Sequence, residues 1–124
     1  MPAYNFKQRF ARKVASGEKL HTIRATRKDG HRPGIGQPMH AYTGLRTKHT
    51  KLVFLSTISK VDRIRINVDG SIVVEGRGKL TVDQAHALAM ADGFTSANDL
   101  YEFFKAEHGL PFDGDLIHWT HHDV

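Results

Sequence analysis

Ser16-Gly17-Glu18-Lys19-Leu20-His21-Thr22-Ile23-Arg24 is the stretch on which the reading of this chain turns. Gly17 suits the left-handed stop of a basic amphipathic helix, and past such a stop the chain is expected to run extended. On a strand, residues two apart share a face, so Thr22 and Arg24 point the same way. Lys19, on the turn just before them, leans over the same surface. An ammonium, a hydroxyl and a guanidinium together suit a phosphate, a carbonyl or a nucleobase edge. The alternative is an exposed basic turn with a polar strand behind it.

Working outward, Phe6, Phe10 and Val14 recur every four residues and predict a helix over about residues 5–16, with Lys7, Arg9, Arg12 and Lys13 on its other faces. A strand is expected near residues 20–26. Asp29-Gly30, Pro33-Gly34, Gly36 and Pro38 then mark residues 27–38 as a basic loop. Met39 to Thr43 reads as a strand, and Gly44 to Lys51 as a second basic loop carrying Arg46 and Lys48. Leu52 to Ile58 and Val61 to Val68 read as two more strands, the latter with Arg63 and Arg65 on one side. Asp69-Gly70 signals a hairpin into Ser71 to Glu75, and Gly76-Arg77-Gly78 a turn.

Thr81-Val82-Asp83-Gln84 has the form of a capping box, opening a helix that stops at Gly93. Ser96 caps a second helix, whose core stripe is Leu100, Phe103 and Phe104 and which ends at Gly109. Leu116 to Trp119 closes the chain as a strand. Strands in a run with helices grouped apart predict one α+β domain over residues 1–124. The natural closure is a small barrel of about five to six strands, with an N-terminal helix and two short helices before the last strand.

Charge is divided along the chain. Through Arg65 there are 15 Lys/Arg against 3 acids, a net of +12; beyond it 3 Lys/Arg face 10 acids, a net of −7. A basic face of this kind attracts a polyanion or nucleotide, unless the basic half folds against the acidic half and cancels it. The 124 residues contain no cysteine, which excludes a disulfide framework, a thiolate nucleophile and thiolate-held metal. No apolar run reaches membrane-spanning length and no signal-peptide apolar region is present, so a soluble cytoplasmic protein is expected, with no membrane and no obligate protein partner.

Several pieces in order resemble the ASCH domains, a branch of the PUA-like β-barrel superfamily. They are Gly17-x-Lys19-x-x-Thr22-x-Arg24 after Phe6-Lys7-Gln8-Arg9-Phe10, and Gly34-x-Gly36 before a strand. Asp92-Gly93-Phe94, Leu100-Tyr101-Glu102-Phe103-Phe104, Gly109 and the terminal Leu116-Ile117-His118-Trp119 complete the set. The first segment is most similar to small bacterial amidohydrolases that deacetylate acetylcytidine. That resemblance implies a PUA-like barrel and catalytic roles for Lys19 and Thr22. It also implies a carboxylate ahead of the last helix, a glutamate in those enzymes, for which Asp92 is the nearest candidate here, one methylene shorter and one gap away.

Amide hydrolysis needs a nucleophile, a base, an acid for the leaving amine and donors for the oxyanion. Thr22 attacks directly if a neutral Lys19 takes its proton, a state that nearby Arg24 and Arg27 and burial favour. Alternatively Lys19 and Asp92 position a water while Thr22 only binds substrate, or Lys19 and Asp92 form an ion pair that ties the turn to the helix end. Arg24 and Arg27 are candidate binding residues; so are Tyr42, for stacking on a base, and Arg46 and Lys48, for phosphate. Trp119 and Phe94 are weighed as stacking surfaces against core packing. His118, His121, His122 and Asp123 cluster near the end, where metal binding is adventitious; His21, His31, His40 and His49 are read as contacts to phosphate or solvent. No metal or cofactor is expected. The partner is RNA or a modified nucleoside, and three activities stay open: an acetylcytidine amidohydrolase, a non-catalytic RNA-binding module and a metal-independent ribonuclease.

Overall fold

Tyr4 and Phe6 are buried and Asn5 between them is exposed, the two-residue alternation of a strand. The computed structural model, which describes residues 3–16, 19–26, 32–44, 47–48 and 50–120, accordingly begins with strand β1 (Ala3–Phe6) before helix α1 (Gln8–Ser16). The chain continues through β2 (His21–Ala25), β3 (Pro38–Thr43), β4 (Lys51–Ile66), β5 (Ile72–Val74) and β6 (Gly78–Lys79). Helices α2 (Val82–Ala91) and α3 (Ala97–Glu107) precede the last strand, β7 (Phe112–Trp119). The architecture is a small α+β fold.

The N-terminal helix is therefore shorter than the residue 5–16 span expected from the Phe6–Phe10 spacing. Parallel pairing of β1 with β3, Tyr4 opposite Ala41 and Phe6 opposite Thr43, claims the first of those two rings for the sheet. The two strands expected at 52–58 and 61–68 are one strand, β4. Ser59-Lys60 lacks the Gly, Asn or Asp of a two-residue hairpin, and a register shift between Ile58 and Lys60 absorbs the irregularity. Among the described residues there are seven strands, against the number of about five to six expected.

The long β4 organises the sheet. Its first half pairs antiparallel with β3, and its second half with both β7 and β5. β2 adds antiparallel to β7, with His21 opposite His118 and Arg24 opposite Asp115. Among the described residues the strands make an open sheet, with no ladder from β1 to β2 to close a barrel. The core lies between the curled sheet and the helices, around Phe6, Phe10, Met39, Ile66, Phe94, Leu100 and Trp119. Thr81 caps α2 with Gln84 in the reciprocal box, and Ser96 caps α3 through the Asp99 amide, as their sequences dictate.

The basic and acidic halves of the chain meet in this sheet. Arg63 and Arg65 of β4 face Asp115 and Asp113 of β7 at 3.6 and 3.1 Å, and Arg32 reaches Asp115 at 2.7 Å. Lys7 joins Glu107, and Arg9 joins Asp99, both at 2.7 Å, fastening α1 to α3. Much of the positive charge expected to form a polyanion track is thus matched internally. These pairs also explain why β7 starts at Phe112, ahead of the apolar Leu116: cross-strand charge matching carries its Asp-Gly-Asp segment.

Gly114 sets how closely β2 lies on β7. A Cβ there would overlap the Arg24 carbonyl oxygen and come within 2.9 Å of the Phe112 ring. Gly114→Ala is expected to lower stability by roughly 1–3 kcal/mol, the range for overpacking, read as an earlier urea midpoint.

Candidate active site: a buried lysine beneath an aromatic cavity

The turn after α1 is pinned by the Lys19 amide donating to the Lys13 carbonyl at 2.9 Å, which sends the Lys19 side chain inward. Lys19 is 2% exposed. Its ammonium donates to three acceptors: the His21 carbonyl at 2.8 Å, the Asp92 carbonyl at 2.7 Å and Asp92 Oδ1 at 2.8 Å. Three protons meet three acceptors, so the resting group is the ammonium. Burial pulls its pKa below the ordinary 10.5, opposed by the Asp92 carboxylate.

Asp92 is the C-cap of α2, and Gly93 follows at φ +100° to reverse the chain. Lys19 therefore meets the negative end of the α2 dipole as well as a carboxylate. Gly93 presses against Phe10, where a Cβ would lie 2.8 Å from the ring, so α1, the Lys19 turn and the α2 terminus are held as one unit. Asp92 Oδ1 accepts a second bond, because His21 Nδ1 lies 2.8 Å away. His21 is also buried, edge-on to His118 at 5.3 Å between centroids.

Above this base opens a cavity of about 280 Å³, lined by Lys19, Thr22, Arg24 and Asp92. Phe6, Phe10, Phe94, Phe103 and Phe104 supply aromatic walls, and Lys7, Glu107 and His108 also line it. Arg24 donates to the Asn5 carbonyl at 2.8 Å and lies over the Tyr4 and Phe6 rings, 5.5 and 5.0 Å from their centroids. Its Nε is buried and has no hydrogen-bond partner among the described residues. Thr22 is buried too, and no side-chain hydrogen bond engages it among those residues. The arrangement sets one hydroxyl and one guanidinium along the cavity wall, above a proton-rich amine.

Lys19, Thr22, Arg24 and Asp92 are thus brought together. Tyr42 is half-buried on β3 and Lys48 exposed beyond it; neither lines the cavity. Arg27, Arg46, His31, His49, His121, His122, Asp123, Gly17, Asp29-Gly30 and the side chain of Val14 lie outside the described residues. Trp119 is a core residue packed edge-on to Phe6 at 5.8 Å, whereas Phe94 is at once core and cavity wall. Among the described residues no three His, Asp or Glu side chains gather to hold a metal.

His21, read from sequence as a phosphate or solvent contact, is instead an inward group on the shared carboxylate. Nothing local in the sequence marks it, because its partner Asp92 lies 71 positions away. No family model, curated protein or solved structure matches the chain.

Two outcomes are expected. Lys19→Met takes the buried cation from Asp92, leaving only the His21 ring on its carboxylate, and destabilises the protein by about 3–5 kcal/mol, while Lys19→Met/Asp92→Asn recovers much of that loss in urea unfolding. Burial pushes His118 below its ordinary 6.5. The unfolded chain then binds the extra proton first, so stability declines as pH drops below 6.5 and levels once folded His118 protonates. His118→Gln removes that part of the dependence in unfolding midpoints measured from pH 7.5 to 4.5.

Proposed function

We propose that the cavity binds a modified pyrimidine nucleoside and hydrolyses an acyl amide on its base. The observation that carries this reading is the convergence of Lys19, Thr22, Arg24 and Asp92 on one aromatic-walled cavity of about 280 Å³. That volume suits one base with its sugar at the mouth, and aromatic walls suit a flat heterocycle. An extended RNA strand is less well supported, because Arg9, Arg32, Arg63 and Arg65 are engaged by carboxylates.

The chemistry follows from the groups present. Lys19 first gives one proton to water and releases one of its three acceptors; Thr22 Oγ then attacks the amide carbonyl as its proton passes to the freed lone pair of Lys19. The developing oxyanion is met by the Arg24 guanidinium on the cavity wall. The C–N bond then breaks as Lys19 returns the proton to the leaving exocyclic amine, and water cleaves the acyl-threonine to free acid. Asp92 draws the amine into place. The same reading takes the fold as the ASCH branch of the PUA-like barrels, with β1 and β2 bridged by the Arg24–Asn5 contact in place of a ladder.

Incubation of the protein with acetylcytidine in the presence of chelator is expected to release cytidine and acetate. Thr22→Val is expected to lower kcat at least a hundredfold without unfolding the chain. Retention of the nucleoside without turnover would make the cavity a binding site only, cleavage of labelled single-stranded RNA would make the protein a ribonuclease, and no interaction with either would reject the reading.

A further inference from the structure

We propose that His21 is a positioning residue for Lys19, governing through the shared oxygen of Asp92 whether Lys19 stands as ammonium or as amine. Oδ1 of Asp92 lies 2.8 Å from Lys19 Nζ and 2.8 Å from His21 Nδ1. A lone pair on Nδ1 would face a carboxylate oxygen at that distance, so neutral His21 carries its proton on Nδ1 and its lone pair on Nε2.

Lys19, His21 and Asp92 are all buried, and with Arg24 also drawing on Asp92 the one carboxylate leaves little charge to hold a second cation beside it. Two arrangements then have equal net charge: ammonium Lys19 with neutral His21, or amine Lys19 with imidazolium His21. Passing from the first to the second breaks one N–H bond at Nζ, whose proton goes to water, and forms one at Nε2, whose proton comes from water. No charge is added to the interior. In the second arrangement one of the three acceptors around Lys19 is released by it while His21 holds the carboxylate, and only the use made of that amine rests on the amidohydrolase reading.

The groups around His21 favour this exchange. Asp92 faces it from the end of α2 and His118 from β7, with Asp62 and Lys60 of β4 and Arg77 behind His118. Burial holds His118 toward its neutral form, so no second cation stands against an imidazolium at His21. On the other side Arg24 and Lys13 both act to strip the proton from Lys19.

The test is a titration of the ligand-free protein carrying 13C at lysine Cε and at histidine Cε1, followed by NMR from pH 5 to 11. Lys19 is expected to shift in two steps, the lower one coincident with the titration of the His21 ring, as coupled sites do. In His21→Gln, which keeps a donor toward Asp92 but cannot ionise, the lower step is expected to vanish. A single Lys19 step in the wild type, or two steps that persist in the variant, would overturn the proposal. Should His21→Gln fail to fold, the wild-type traces decide alone, since only coupling makes the Lys19 and His21 curves share a midpoint. No substrate enters the experiment, so failure of acetylcytidine turnover leaves its outcome untouched.

Discussion

A lysine ammonium almost sealed from water must find an acceptor for every proton, and at Lys19 that demand fixes the relation of three distant segments. The turn after α1 supplies the amine, the start of β2 supplies one carbonyl, and the C-terminus of α2 supplies a carbonyl and a carboxylate. Moving any of them by an ångström would leave a buried charge uncompensated, at a cost exceeding most single packing errors. The aromatic walls stand on this base: Phe10 packs on Gly93, and Phe94 packs on Phe10 at 5.2 Å.

The same logic of matched charge runs through the sheet. A chain split into a strongly basic and an acidic half could expose a field of one sign along one face. Here the arginines of β4 meet the aspartates of β7, while Lys7 just before α1 and Arg9 within it meet the acids of α3. Charge segregation along the sequence therefore guides strand and helix partners as much as it prepares a ligand surface. Above the cavity floor, Arg24 Nε is buried with no hydrogen-bond partner among the described residues.

Local signals were the most legible part of the sequence. The capping box at Thr81, the Ser96 cap, the Asp69-Gly70 hairpin and the stops at Gly93 and Gly109 each state a backbone geometry within a few residues, and each is met. What was not legible depends on partners far along the chain. Residues 3–6 form a strand because β3 lies beside them, and β4 stays unbroken because β7 spans it. In the site, Thr22 and Arg24 could be grouped from strand alternation, Lys19 from its place on the turn before them and Asp92 from a family likeness. The inward turn of His21 was hidden because its reason, a carboxylate 71 positions away, belongs to the tertiary fold.

The central physical claim is that Lys19 rests as a fully hydrogen-bonded buried ammonium at the cavity floor. Its most direct test is the 1H–15N spectrum of the lysine ammonium groups near pH 7 and 25 °C, where exposed amines exchange too fast to be seen. The account predicts one sharp, exchange-protected ammonium signal that is lost in Asp92→Asn. A spectrum with no protected signal, or one unchanged by Asp92→Asn, would contradict it.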